Sequence, residues 1–260
     1  MLSSARDMFS KFDLIWAWTY RIIRARYQQS ILGGFWAILQ PTATVAIFSV
    51  IFTVFIPVDT KGVPYVIFSY VAMVPWTLFS SSISDMVDSL VGNMNLVTKI
   101  YFPREILPIS TLLARLFDFL ISFSIVGILI LYYRIPVFIT GWLFIPLVLL
   151  IQIILAFGIG LIGAALNIFY RDMRPIFALG LQIWFYASPV IYPVSSVPER
   201  FRFVYYLNPM VGVIEAYRAI ILNQRMPEST LLLSFCVAVI ILAIGYWYFK
   251  RVEPQFADVV

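Results

Sequence analysis

An all-α, polytopic membrane fold with six crossings follows from three features of this sequence. The chain is 62% hydrophobic and 12% charged, whereas soluble domains hold about 45–50% apolar and about 25% charged residues. With a mean hydropathy of +0.94, so much apolar surface cannot be hidden inside one globule of 260 residues and needs lipid to cover it. Uncharged runs recur at lengths near the roughly 20 residues that carry a helix across a bilayer core of about 30 Å. Short polar breaks containing proline, aspartate or basic residues separate them.

Taken in order, the chain opens with a segment, Phe9–Leu32, that is amphipathic rather than uniformly apolar. On a helical wheel Phe12, Ile15, Trp16, Thr19, Ile23 and Tyr27 share one face and Arg21 and Arg24 lie opposite. Such a helix belongs in the membrane interface, with Arg26, on the apolar stripe, snorkelling to water. Residues 1–33 therefore form an interfacial unit ahead of a membrane domain over residues 34–250, with residues 251–260 as a tail. The crossings are Phe35–Ile56, Val63–Ser84, Ile106–Tyr133, one within 135–170, Ile176–Ile191 and Leu231–Phe249. The fifth is 16 residues, about 24 Å as a helix, and "SPVIYP" breaks it. Residues 192–226 then supply short re-entrant or interfacial helices, among them 209–222.

Eleven Lys and Arg flank the crossings on the side of the two termini and six on the other, which places both termini in the cytoplasm. "MLSSARDMFSKFD" has no apolar h-region, so no cleavable signal is expected. Histidine is absent, which removes His-based acid–base catalysis and His metal ligation together. The one cysteine, Cys236, lies in an apolar run and cannot form an intrachain disulfide. None of the four lysines follows a glycine, there is no G-x-S-x-G, and no metal cluster is evident. The chain is thus not expected to be an enzyme, to bind a cofactor or metal, or to bind nucleic acid. "GIGLIG" at 158–163 matches a dinucleotide fingerprint in form, but that motif needs a strand before it and a helix after it. Inside a membrane run, Gly160 and Ala164 instead suit close helix–helix packing.

Four groups of residues remain as candidates for function. Between the second and third crossings, Ile83, Met86, Val87, Leu90, Val91 and Met94 recur at helical spacing while Asp85, Asp88, Asn93 and Asn95 face away. This is an amphipathic helix that either sets topology or lies against the membrane or a partner. Pro103 suits the first position of the next helix and Glu105 its first turn. Arg115 and Asp118, three apart on the third crossing, are either a structural pair or part of a polar conduit. Glu215 and Arg218 repeat that spacing. The 45 aromatics exceed what interfacial belts need. Trp36, Trp142 and Trp247 sit at span ends as belt residues, whereas Tyr70, Trp76, Phe79, Trp184 and Tyr186 stand either as lipid-facing filler or as a lining for a glycan. The N-terminal arginines 21, 24 and 26 are either a positive-inside anchor or a contact for anionic lipid.

"RYQQSILGGFWAILQP" (26–41), "VPWTLFSSSI" (74–83), "NLVTKIYFPREILP" (95–108), "NIFYRDMRP" (167–175) and "ASPVIYPVSSVPERFRFVYYLNPMVGVIEAYR" (187–218) together resemble the polysaccharide-exporting ABC permeases. The resemblance runs over nearly the whole chain, keeps the segment order, and is nearest to the O-antigen type, with capsule and teichoic-acid exporters as relatives. It implies a homodimer joined to two copies of a cytoplasmic ATPase that binds ATP and Mg, with no cofactor in this chain. It implies a coupling loop over 85–105, made of the Asp85–Val97 helix and a strand-like "TKIYFPRE", that docks in the ATPase. Asp85, Asp88, Asn93, Asn95, Lys99, Arg104 and Glu105 would serve there, with Arg171, Asp172 and Arg174 as a second contact. By the same likeness the N-terminal helix is a gate at which Arg21, Arg24 or Arg26 meets the phosphates of an undecaprenyl-diphosphate-linked polysaccharide, and 192–222 closes the outer mouth. A small-solute transporter would need polar midplane residues in several spans. A lipid-phosphate enzyme would need a fixed polar cluster, and an ABC permease for a drug or small lipid would lack a need for so many aromatics.

Overall fold

The computed structural model describes residues 2–28, 30–60, 62–99 and 102–257, with side chains between Phe12 and Phe256. Among these every regular element is helical: α1 (Leu2–Tyr27), α2 (Phe35–Val50), α3 (Tyr65–Ser89), α4 (Met94–Lys99), α5 (Ile106–Tyr133), α6 (Ile139–Trp142), α7 (Ile145–Phe169), α8 (Met173–Tyr186), α9 (Glu199–Tyr206), α10 (Pro209–Ile221) and α11 (Thr230–Val252). Five stretches are long and apolar enough to cross a membrane: Phe35–Phe55, Tyr65–Ser89, Ile106–Tyr133, Ile139–Phe169 and Thr230–Phe256. The protein is a multi-pass membrane protein.

The expected fifth crossing takes a different form. Its helix, α8, has 14 residues, about 21 Å at 1.5 Å per residue, and ends at Tyr186. Pro189 and Pro193 lack the N–H groups a continuing helix needs, so residues 187–192 turn instead. Even so, this segment runs the length of α3. Arg174 pairs with Asp88 near one end of α3, while the Ile191 carbonyl accepts from the Tyr65 hydroxyl at the other, 2.6 Å away. Asp88 thus marks the hairpin end of α3, where residues 90–105 connect it to α5, and Tyr65 marks its far end.

α3 is the centre of the bundle. It packs against α2, α5, α7, α8 and α10, and 78% of its apolar window is buried, against 11% for the first stretch and 22% for α5. Small polar residues fit that position: Ser69 and Ser82 are fully buried, and the Ser69 hydroxyl donates to the Tyr65 carbonyl one turn earlier. Gln152 of α7, also buried, donates to the Pro75 carbonyl at 2.8 Å.

The glycines of "GIGLIG" bring helices together. A Cβ on Gly158 would stand 2.7 Å from the backbone of Leu242 in α11, and one on Gly245 2.3 Å from the Gly158 carbonyl oxygen. One on Gly160 would meet the Met86 side chain of α3 at 2.3 Å. Only glycine permits the α7–α11 approach, because the obstructing atoms are backbone.

Candidate functional site

At the hairpin end three helices bring charges to one place. Arg115 of α5 donates through Nε and Nη2 to both carboxylate oxygens of Asp85 in α3, at 2.7 and 2.9 Å. Its Nη1 reaches Asp118, one turn along the same helix, at 3.2 Å. Arg26, near the end of α1, bridges the same two carboxylates, with Nη1 to Asp118 at 2.5 Å and Nη2 to Asp85 at 2.8 Å. The Tyr27 hydroxyl donates to the remaining oxygen of Asp118. Two guanidinium groups and two carboxylates thus form a neutral square whose side chains are a quarter exposed or less. Burial, followed by the hydrogen bond to Asp118 and its charge, pushes the Tyr27 phenol up to about 12, so it stays a neutral donor.

This square revises two expectations. Arg26 does not snorkel: it turns inward to Asp85 and Asp118, because two carboxylates supply the counter-charge that an apolar face lacks. Asp85 does not face away with Asp88, since it points between α1 and α5. The square also fixes α1 against the bundle. Thr19 is buried, and the Ser110 hydroxyl of α5 donates to the Ile15 carbonyl. The predicted apolar face of α1 is consequently split. Ile15, Thr19, Ile23 and Tyr27 lie on the covered side, while Phe12 and Trp16, with Tyr20, are exposed. Arg21 and Arg24 remain exposed, Arg21 stacked 4.5 Å over the Trp18 ring and Arg24 bonded to Gln28.

Beyond the square, α3 runs on to Ser89 and, through a 3-10 turn at Val91–Asn93, into α4. The predicted helix over Asp85–Val97 is therefore interrupted between Ser89 and Met94. Val91 is exposed although its spacing predicted a covered position, whereas Leu90 and Val97 are buried. Asn93 donates back to the Ser89 carbonyl at 2.8 Å, and Asn95 and Lys99 face outward. Thr98 and Lys99 close a helix rather than begin a strand; Ile100 and Tyr101 lie outside the described residues. Pro103 and Glu105 precede α5, whose first turn is set by the Ile106 amide donating to the Pro103 carbonyl.

Two ion pairs tie this hairpin to the rest of the protein. Asp88 pairs with Arg174 at 3.2 Å, beside the exposed Arg171 and Asp172. Lys250 near the end of α11 sits 2.9 Å from both Glu105 and Glu253, while Arg104 donates to the Glu253 carbonyl. Beneath this clasp Leu90, Val97, Leu107, Phe249 and Phe256 form a separate buried cluster. Of the ten residues expected to couple to a partner, Asp85 belongs to the interior square and Arg104 and Glu105 to the clasp. Asp88, Asn93, Asn95, Lys99, Arg171, Asp172 and Arg174 lie along the surface of the hairpin end.

The proposed aromatic lining is mostly interior. Tyr70, Trp76 and Phe79 are buried within the bundle, Trp76 packing tilted against Phe185 at 5.6 Å and Phe79 edge to face with Trp184 at 5.2 Å. Trp184 donates to Asn208 at 2.8 Å. Tyr186 alone of the five is exposed. Of the belt residues, Trp36 and Trp247 are exposed and Trp142 is half-buried against Phe123.

At the far end Glu215 and Arg218 do pair, at 3.2 Å. Arg218 is 2% exposed; it donates to the Val190 carbonyl at 2.9 Å, to those of Phe68 and Tyr192 at longer range, and lies 3.7 Å over the Phe68 ring. It therefore holds the 187–192 turn against the start of α3.

The sequence profile described as ABC-2 type transporter matches residues 13–222. Similar proteins include the O-antigen export system permease protein RfbA of Myxococcus xanthus, 30% identical over 99% of both chains. RfbA of Klebsiella pneumoniae is 26% identical over 96% of this chain and 95% of its own. The polysialic acid transport protein KpsM of Escherichia coli is 28% identical over 80% of this chain and 81% of its own.

Proposed function

Because the chain belongs to the ABC-2 type transporter family, we propose that it is the membrane subunit of an ATP-driven exporter for an O-antigen-type polysaccharide carried on undecaprenyl diphosphate. Two copies of the chain join two copies of a cytoplasmic ATPase, which binds the ATP and Mg; this chain binds no cofactor and catalyses no reaction itself. It resides in a bacterial inner membrane and crosses six times, α8 with the turn after it completing the fifth crossing. Both termini and the hairpin end then face the cytoplasm, an orientation supported by the eleven-to-six distribution of Lys and Arg. Residues 192–226 form the outer re-entrant region and 251–260 the cytoplasmic tail.

The observation that carries this reading is the hairpin end itself. Asp88 on α3 and Asn95 and Lys99 on α4, with Arg171, Asp172 and Arg174 at the start of α8, present polar groups at the hairpin end, and the Asp88–Arg174 pair joins the two segments. Such a surface, on a chain whose lysines form no P-loop, suits a motor carried by another subunit. Arg21 and Arg24, exposed on α1, meet the diphosphate of the carrier with charge-assisted hydrogen bonds, and ATP binding in the partner moves the hairpin so that a glycan conduit opens at the dimer interface. Similarity to KpsM supports a second reading, a capsular polysaccharide permease, with the same architecture and a different glycan.

Charge reversal tests the docking surface. An exposed ion pair contributes about 0–1 kcal/mol to stability, so Asp88→Arg with Asp172→Arg should leave the folded protein intact. The expected result is loss of co-purification with the ATPase and of surface polysaccharide in a complemented deletion strain. Wild-type export and co-purification in that double variant would remove the assignment. Arg21→Glu with Arg24→Glu is expected to retain the ATPase but to reduce surface polysaccharide; normal polysaccharide would contradict the headgroup role.

A further inference from the structure

The far end holds a polar cavity of about 240 Å³ between α9, α10 and the loops after α2 and before α11. One third of its described lining residues are charged, in a chain where 12% are. That volume is roughly eight water molecules at about 30 Å³ each, room for a single sugar ring. Its floor is rigid, because Arg218 is locked by backbone carbonyls and in turn orients Glu215 through Oε1.

The groups left over decide what fits. Oε2 of Glu215, the carboxylate of Glu228 and the hydroxyl of Tyr206 have no hydrogen-bond partner among the described residues, and all three residues line the cavity. Asn223 adds an amide donor, and Arg202, whose Nε and Nη1 donate to the Val197 carbonyl and to Glu199, adds its remaining guanidinium donors. A divalent cation is a poor match, since no three carboxylates among the described residues stand close enough to hold one. An anion is a poor match too, facing Glu215 and Glu228. A lipid tail would leave these polar groups unsatisfied. A neutral polyol uses both kinds of partner: its hydroxyls donate to carboxylates and accept from guanidinium and amide, while Tyr206 offers a ring face.

We propose that this cavity is a saccharide subsite, binding one sugar ring of the glycan at the far end of the bundle. The inference rests on the polysaccharide-export reading and adds to it a specific place of contact, lined by residues of a single copy of the chain. The experiment uses the full chain in lipid nanodiscs. Saturation-transfer NMR is recorded with methyl glycosides of hexoses, 6-deoxyhexoses and N-acetylhexosamines as probes. At least one probe should give a saturable signal. Glu215→Gln, Glu228→Gln and Tyr206→Phe, each checked for wild-type helicity and melting, should weaken it at least about tenfold, and Arg225→Gln, outside the cavity, should not. No saturable signal from any probe would overturn the proposal, as would a signal that all three cavity variants retain. Export by the complex with its ATPase separates the two readings. Export without saccharide binding removes the subsite alone, and binding that follows the cavity variants without any polysaccharide export removes the exporter reading.

Discussion

Arg26 and Arg115, half-buried at the hairpin end, and Arg218, buried at the far end, are held by different means. The first two face Asp85 and Asp118, carried by α3 and α5, with Arg26 itself on α1. Arg218 faces mainly main-chain carbonyls, of Val190, Phe68 and Tyr192. Side-chain carboxylates on separate helices can exchange partners when one helix shifts, and the square contains redundant pairs that would survive the loss of one. Carbonyls of a turn offer no such exchange. The square is therefore suited to a joint between helices that move, and the Arg218 site to a fixed corner.

The largest effect is expected at that fixed corner. Arg218→Ala removes the one side chain among the described residues that binds the Val190 carbonyl and leaves Glu215 without its partner. Leaving the carbonyls of Val190, Phe68 and Tyr192 without their shared donor costs about 1–3 kcal/mol each, and the variant is expected to melt far below wild type in nanodiscs. A melting curve superimposable on wild type would erase the contrast between the two ends. Asp118→Asn comes next. It leaves both guanidinium groups to share Asp85, at an expected cost of about 1–3 kcal/mol. Adding Arg26→Gln should recover part of that loss, and a double-mutant cycle should give a coupling of about 0.5–3 kcal/mol. Strict additivity would mean the square is not one unit.

Smaller again is the clasp. Glu253→Gln weakens one of two carboxylates around Lys250, whose side chain is 35% exposed. The expected stability change is about 1 kcal/mol or less, but amide hydrogen exchange should rise selectively across α4 and residues 102–107. Unchanged exchange there would show that the C-terminal segment does not hold the hairpin. The smallest stability effect is expected for the exposed pair Asp88–Arg174, where only motor binding should change.

These contrasts also mark what a sequence can disclose in lipid. The long apolar stretches were legible, because each must span a hydrocarbon layer of known thickness, and α5 begins and ends where expected. Arg115–Asp118 and Glu215–Arg218 were legible as pairs because helical geometry alone sets a separation of three residues. Their other partners were not. Asp85 lies 30 residues from Arg115, and Arg26 92 from Asp118, distances that only the packing of α1, α3 and α5 closes. Nor was the interior position of Tyr70, Trp76 and Phe79. In a membrane helix the lipid-facing and protein-facing sides are equally apolar, so hydrophobicity carries no sign of which aromatic is buried. Pro189 and Pro193 did signal where the fifth segment stops, but not that Arg218 would anchor the turn.

On the proposed function this subunit works only with a motor supplied by another chain, docked at the hairpin end. Proteoliposomes containing the purified chain, with and without its ATPase, test it most directly through ATP-dependent movement of an undecaprenyl-diphosphate-linked glycan. Transport is expected only when both subunits are present, and to be lost with Asp88→Arg/Asp172→Arg. Nucleotide hydrolysis or glycan movement by the chain on its own would contradict the account.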